Sequence, residues 1–180
     1  MQSICAVEGV TAWGIKEGKY GLALIKASGT GAAVFTSNKV RAPVVNLMAK
    51  RTRRGKLAGI IVNSGCANAY TGKRGYEDAK TMAAIGAEVL DIPETETGVA
   101  STGVIGRYLD LDRIRRQSAD VAGKLAHSAD AEVAAATAIM TTDTVQKHAL
   151  VQREGFKVAG ICKGSGMIAP NMCTLLSFVY

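Results

Sequence analysis

The chain has 180 residues, of which 48% are hydrophobic and 21% charged, the proportions of an ordinary globular domain. It lacks the run of about 18 apolar residues that a membrane span needs, and its first residues show no cationic stretch ahead of an apolar one, so we expect a cytoplasmic protein with no membrane partner. The formal charge of +7 suggests nucleic-acid binding, but aromatic residues make up only 5% and do not accompany the densest basic cluster, Lys50 to Lys56. We interpret that cluster as a solvated surface, or one facing an acidic partner chain, and expect no nucleic-acid partner.

The composition also disfavours metal and disulfide chemistry. The four cysteines lie far apart and form no CxxC pair. The two histidines, His127 and His148, do not have the spacing that would place them on one face of a helix. We therefore expect reduced thiols and no metal site.

The first half of the chain predicts strands followed by a helix. Residues 20–38 alternate apolar β-formers around a glycine-bearing turn at residues 28–31, which predicts a hairpin. The run Ile60 to Val62 predicts a buried strand entering a tightly packed loop of small residues. From Tyr76 to Leu90 apolar residues recur at helical spacing, and Pro93 ends that helix.

The second half predicts two more helices and then two strands. Asp110 is a candidate N-cap for a helix with an apolar face from Leu111 to Leu125, and the next helix runs from about Ser128 to Met140. Residues 155–164 and 174–180 have the composition of strands. Because this order lacks a regular βαβ alternation, it predicts an α+β layered domain and not a doubly wound nucleotide-binding sheet.

Three polar clusters stand apart from this apolar framework. They are "ASTGVIG" from Ala100, "MTTDT" from Met140, and "KGSGMIAPNMCT" from Lys163. Each joins hydroxyl residues to the end of an element, where free backbone N–H groups bind anions or oxyanions.

Each cluster also has a structural interpretation. Thr102 and Gly103 fit a simple turn. The Thr141 hydroxyl fits a bond back to the preceding helical turn, and Lys163 fits an ordinary solvated cation. Taken alone, the clusters leave both interpretations open.

Thr174 suggests a more specific kind of chemistry, that of a nucleophile. Within a chain a threonine hydroxyl is a poor nucleophile because it has no adjacent base. Cutting the bond between Cys173 and Thr174 would give Thr174 its own amine, whose ordinary pKa is about 7.7 to 8.0. That amine is the general base of N-terminal threonine nucleophiles.

Four motifs in order, "VNSGCANAYTG", "ASTGVIG", "IMTTDT" and "KGSGMIAPNMCTLLSF", extend over essentially the whole chain. Through them the chain resembles the N-terminal half of the bifunctional glutamate N-acetyltransferase and ornithine acetyltransferase family of arginine biosynthesis. The sequence departs from many relatives at Cys173, where they have alanine, and near Gln146, where they have proline. Both changes are small.

The resemblance implies a layered αββα-like sandwich belonging to a self-cleaving threonine-nucleophile enzyme. Family precursors, roughly twice as long as this chain, cut themselves before a threonine, which here places the cut between Cys173 and Thr174. Residues 1–173 would then be an alpha-chain domain and residues 174–180 the start of the beta chain. The two chains would remain partners, in an α2β2 heterotetramer.

The resemblance also implies the reaction and the site. Thr174 would take the acetyl group of N-acetylornithine and pass it to glutamate, with Thr102 and Gly103 forming the oxyanion hole. Thr141, Lys163 and Thr174 would contact substrate, and no metal or organic cofactor would be needed. The resemblance leaves two alternatives: a non-catalytic partner chain, and an N-terminal-nucleophile amidase that passes the acyl group to water.

Overall fold

The computed structural model describes residues 1–166 and 174–180, and these residues form two β-sheets and four α-helices. The strands are β1 (Thr11–Glu17), β2 (Tyr20–Thr30), β3 (Lys56–Cys66), β4 (Thr97–Val104), β5 (Lys147–Arg153), β6 (Phe156–Lys163) and β7 (Leu176–Val179). The helices are α1 (Pro43–Arg51), α2 (Gly72–Leu90), α3 (Leu111–Ala122) and α4 (Ala129–Ile139).

Sheet A has the strand order β1-β2-β3-β4. The first two pairings are antiparallel, whereas β3 and β4 are parallel. A parallel pair needs a crossover connection, and α2 supplies it between these two strands. The β-branched run Ile60 to Val62 lies in β3, as the sequence predicted, and β3 is an inner strand of the sheet.

The hairpin predicted within residues 20–38 is wrong. Residues 31–38 form no strand, and the antiparallel partner of β2 is β1, which precedes it. The predicted turn is instead mostly strand: β2 continues beyond an irregularity after Lys26, Gly29 pairs with Leu57 of β3, and Gly31 follows the end of β2. Pairing along β3 therefore prevails over the local turn signal.

Sheet B has the strand order β5-β6-β7, and both of its pairings are antiparallel. The predicted strands over residues 155–164 and 174–180 are confirmed as β6 and β7. The main chain of Ala159 also exchanges two hydrogen bonds of 2.9 Å with that of Tyr180. The segment after residue 174 is therefore part of the same sheet as Lys163.

The three predicted helices are confirmed as α2, α3 and α4. The predicted cap of α3 is present, since the Asp110 carboxylate accepts a hydrogen bond of 3.0 Å from the Arg113 N–H. Ser128 caps α4 in the same way, through the Ala131 N–H at 3.2 Å. These caps satisfy N–H groups that the first turn of a helix leaves without an intrahelical partner.

Two apolar cores lie on opposite faces of sheet A. Alternate residues of β2 divide between them, Leu24 facing the core with α1, α2 and α3, and Ile25 facing the core with α4 and sheet B. Ile161 of β6 and Ile139 of α4 belong to the second core. This arrangement confirms the predicted α+β layered fold and places sheet B and α4 on one side of sheet A.

The basic cluster from Lys50 to Lys56 is not wholly a solvated surface. Arg51 is buried and donates hydrogen bonds to the Thr97 carbonyl and to Glu94, the latter at 2.9 Å. Burial lowers the pKa of its guanidinium, and the Glu94 carboxylate partly opposes that shift. Arg51 therefore joins the end of α1 to the start of β4.

Candidate active site

The Thr-Gly pair predicted as an oxyanion hole lies near the end of β4. Thr102 is fully buried, and Gly103 has φ +129°, in the region that favours glycine. A Cβ on Gly103 would lie only 2.6 Å from the Cys66 amide nitrogen at the end of β3. The ends of these two strands therefore approach so closely that a side chain at position 103 would clash with backbone.

Lys163, the last residue of β6, extends its side chain to this strand end. It is 2% exposed. Its ammonium donates to the Thr102 hydroxyl at 3.1 Å and to the Thr174 carbonyl at 3.2 Å. Three of the predicted site residues thus meet, and the interpretation of Lys163 as a solvated cation is wrong.

The surroundings of Lys163 shift the pKa of its ammonium. Burial lowers the pKa of its ammonium, the Asp143 carboxylate opposes this, and Lys147 adds to the lowering. A partly desolvated cation interacts more strongly with an anion than a solvated one does. The Lys163 ammonium is therefore suited to interact with an anion.

Thr174 lies just before β7 and is half-buried. Its carbonyl, not its hydroxyl, is the group that contacts Lys163. Cys173, the other residue of the predicted cleavage site, lies outside the described residues. The register of β6 and β7, with Lys163 opposite Leu176, keeps the start of β7 near the lysine.

Thr141 lies in the segment between α4 and β5 and is exposed. In the part of the chain that the structure describes, its hydroxyl makes no hydrogen bond to Lys163, Thr102 or Thr174. Its segment is connected to the site through Asp143. The Asp143 carboxylate accepts a hydrogen bond of 2.8 Å from the Gly164 N–H and another from the Lys147 ammonium. This contact attaches the Thr141 segment to the residue that follows Lys163.

Sequence reasoning missed two further polar residues at this site. Lys16 of β1 donates to the Ser64 hydroxyl of β3 at 2.8 Å and to the Met140 carbonyl. The pairing register runs from Lys16 to Gly21, then to Ser64 and then to Thr102. Lys16, Ser64 and Thr102 thus form one row across sheet A. Recognition of the β1–β2 hairpin would have placed Lys16 opposite Gly21, but not opposite Ser64 and Thr102.

Two other features of the described residues bear on function. Within residues 1–166 and 174–180, no three His, Cys, Asp or Glu side chains are grouped as a metal site would require. Across those same residues the four helices include none with the length and apolar character of a membrane span.

The fold has close counterparts among solved structures. It matches ornithine acetyltransferase of Mycobacterium tuberculosis in complex with ornithine, with a TM-score of 0.89 and 34% identity over 97% of this chain and 96% of that one. It also matches the arginine biosynthesis bifunctional protein ArgJ of Bacillus halodurans, with a TM-score of 0.85 and 41% identity over 93% of each chain. The chain thus has the two-sheet α+β fold of these proteins.

Curated relatives agree with the structural match. A glutamate N-acetyltransferase of Methanothermobacter thermautotrophicus is 48% identical over 98% of this chain and 45% of its own length. The arginine biosynthesis bifunctional protein ArgJ of Archaeoglobus fulgidus is 46% identical over 98% of this chain and 46% of its own. The ArgJ family model matches residues 7–180. The chain belongs to the ArgJ family, and it spans about half the length of the curated relatives it matches.

Proposed function

We propose that this chain is the alpha-chain part of an acetyltransferase that moves the acetyl group from N-acetylornithine to glutamate in arginine biosynthesis. The observation that carries the proposal is the position of Lys163, whose ammonium joins Thr102 of the Thr-Gly pair to Thr174. The names of its relatives, glutamate N-acetyltransferase and ornithine acetyltransferase, support the same reaction.

The active protein would contain two chains from one precursor, with residues 1–173 in the first and Thr174 opening the second. Chain lengths support this division. The curated relatives are more than twice as long as the matched region, whereas the solved ornithine acetyltransferase chain is 96% covered by this one. The second chain would supply the remaining substrate contacts, in an α2β2 assembly.

Self-cleavage would begin when the Thr174 hydroxyl attacks the Cys173 carbonyl carbon. The peptide C–N bond breaks, the Thr174 nitrogen becomes an amine, and Cys173 is held as an ester. Water then hydrolyses that ester and frees both the hydroxyl and the amine. The amine serves as the general base that the uncut chain lacks.

Transfer would use the same hydroxyl twice. The Thr174 oxygen attacks the acetyl carbonyl of N-acetylornithine, the bond to nitrogen breaks, and ornithine leaves after its amine takes up a proton. The glutamate amine then attacks the acetyl ester, and the threonine hydroxyl is released. Each tetrahedral intermediate carries an oxyanion, which the strand end at Thr102 and Gly103 would stabilise.

Both substrates carry amino-acid carboxylates, and the buried ammonium of Lys163 is the proposed contact for them. A lysine acts here as a point charge. Thr141, attached through Asp143 to the residue after Lys163, would contribute a hydroxyl to the same substrate. No cofactor takes part in this scheme.

The first test is carried out on the full-length precursor. Mass spectrometry should find a fragment that begins at Thr174, and incubation with N-acetylornithine labelled in the acetyl group should place the label on Thr174. The Thr174→Ala variant should remain uncut and make no N-acetylglutamate. Ser177→Ala, which removes an exposed hydroxyl from β7, is the matched control and should behave as the wild type.

Three outcomes would contradict the proposal. A persistent intact precursor would favour the non-catalytic partner chain. Free acetate without N-acetylglutamate would favour the amidase. Recovery of the label on a residue other than Thr174 would exclude the threonine mechanism.

A further inference from the structure

Lys16 is a cation near the candidate site to which the proposed reaction assigns no role. It lies on β1, which β2 and β3 separate from the Thr102 and Gly103 strand end. Its side chain crosses Gly21, where a Cβ would lie 2.9 Å from the Lys16 Cδ and 2.7 Å from the Ser64 hydroxyl. The absence of a side chain at position 21 therefore gives the ammonium its route to β3.

The ammonium of Lys16 ends at the C-terminus of α4. It donates to the carbonyl of Met140, the residue that caps this helix, while the Ser64 hydroxyl donates to the Ala138 carbonyl at 2.7 Å. The last carbonyls of a helix have no intrahelical partner, and a cation there is favoured by the helix dipole. The last turn of α4 contains no basic residue of its own. Sheet A thus supplies both partners from outside the helix.

The residue after this cap is Thr141. Contacts hold its segment on both sides: Lys16 donates to the Met140 carbonyl on its N-terminal side, and the Asp143 carboxylate accepts from the Gly164 N–H on its C-terminal side. Thr141 itself is exposed and makes no hydrogen bond to the buried site residues in the part of the chain described here. Its placement therefore depends on these anchors and on the Gln146 side chain, which donates to the Thr137 hydroxyl of α4 at 2.5 Å.

From these contacts we infer that Lys16 is a positioning residue, which caps α4 from across sheet A and thereby holds in place the Thr141 segment, which Asp143 joins to the residue after Lys163. Lys16 does not touch the substrate in this role. The inference rests on the proposed function for the part of Thr141 in substrate binding, but the capping contact itself is independent of any activity.

The electrostatic setting is consistent with this role. Burial, and after it the positive charge of Lys163, lowers the pKa of the Lys16 ammonium, and Asp143 opposes both. The positive charges of Lys16 and Lys163 are therefore close enough to repel each other. A partly desolvated ammonium also forms a stronger bond to a helix-terminal carbonyl than a solvated one does.

The test compares Lys16→Met, which keeps most of the side-chain length and removes the donor, with Lys157→Met. Lys157 is a matched control because it too donates to a backbone carbonyl of another segment, that of Ala6 at 3.2 Å, but lies six residues before Lys163 in β6. Both variants are made in the full-length precursor. Lys16→Arg, which restores a cationic donor, is the rescue variant.

Hydrogen–deuterium exchange of peptides from residues 138–146 measures, without any substrate, how firmly the Lys16 contact holds this segment. Lys16→Met should accelerate exchange in these peptides only, by about tenfold or more for the loss of a charge-assisted bond. Lys157→Met should leave these peptides unchanged, and Lys16→Arg should restore part of the protection. Unchanged exchange in Lys16→Met, or faster exchange throughout the chain, would overturn the positioning role.

Kinetics separate positioning from a loss of folded enzyme. Lys16→Met should be cut before Thr174 as the wild type is, and should show a KM for N-acetylornithine raised about tenfold with kcat changed much less. A lower kcat at unchanged KM would mean that only the active fraction fell, which contradicts the inference. If the wild type makes no N-acetylglutamate, the proposed function fails. The exchange experiment still decides whether Lys16 holds the segment after α4.

Discussion

Gly103 is the residue at which backbone geometry and the proposed chemistry are most tightly coupled. Its φ of +129° is one that residues with a Cβ rarely adopt, and a methyl group there would meet the end of β3. Gly103→Ala should therefore displace the strand end that carries the proposed oxyanion donors. We expect kcat to fall about 100-fold to 1000-fold, the usual cost of losing one such donor. Steady-state kinetics of the two-chain protein would measure this loss.

Gly106 offers a matched control. It also has a positive φ, +79°, but a Cβ there would meet no atom within 4 Å. Gly106→Ala should destabilise the protein by about 1 kcal/mol through backbone strain and leave kcat nearly unchanged. Equal losses of kcat in the two variants would mean that strain, and not the contact with β3, controls the site.

At the scale of single residues, the sequence allowed Thr102, Gly103 and Lys163 to be chosen but not assembled. Their motifs supplied the residue types, whereas the bond between Thr102 and Lys163 depends on how sheet B packs against sheet A. Lys16 was missed because its role depends on pairing register and on the open space over Gly21. The pairing with Gly21 is local, but the pairings onward to Ser64 and Thr102 join segments that are distant in the sequence.

Among the elements, the segment between α4 and β5 depends on the Asp143 carboxylate. Burial alone would raise the pKa of this carboxyl, but the hydrogen bonds from Lys147 and from the Gly164 N–H outweigh burial and leave the pKa lowered. A carboxyl with a lowered pKa in the fold adds stability above its unfolded pKa of about 3.9 and loses it as the pH falls through the folded value. Asp143→Asn should therefore cost about 1.5 to 3 kcal/mol at neutral pH.

The pH dependence distinguishes this charge effect from simple misfit of the amide. The stability difference between wild type and Asp143→Asn should be constant near neutral pH and should shrink below a pH of about 4. Urea unfolding of the full-length precursor at several pH values would measure it. Glu154→Gln, which alters an exposed carboxylate in the turn between β5 and β6, is the control and should show little change at any pH. A difference that persists in acid would exclude the charge effect.

The helices and strands that were predicted correctly are specified by patterns within their own sequence. Helices α2, α3 and α4 have apolar or small residues at helical spacing, and Asp110 supplies a visible cap for α3. Strands β1, β4 and β5 were not predicted. β5 in particular is exposed along most of its length, so it has no alternation of buried and exposed residues to reveal it. Its pairing with β6 is what makes it a strand.

The two apolar cores on opposite faces of sheet A differ in their position relative to the candidate site. Thr102, Lys16 and Ser64 lie on the face that packs against α4 and sheet B, and Lys163 of sheet B meets Thr102 there. In the described part of the chain, the strands of sheet A lie between this group and the core with α1, α2 and α3. A cavity in either core should therefore cost similar stability, whereas only a cavity in the second should disturb the site.

Ile161 and Leu90 are a suitable pair for testing this difference. Both are 1% exposed, but Ile161 points to the same side of β6 as Lys163, and Leu90 ends α2 in the other core. Ile161→Ala and Leu90→Ala should each lower stability by about 2 to 5 kcal/mol, measured by urea unfolding of the full-length precursor. Because Ile161 helps to fix the position of β6, only its replacement should also raise the KM for N-acetylornithine, by several-fold. An equal rise in KM for Leu90→Ala would mean that sheet A transmits the disturbance and that the two cores do not act separately.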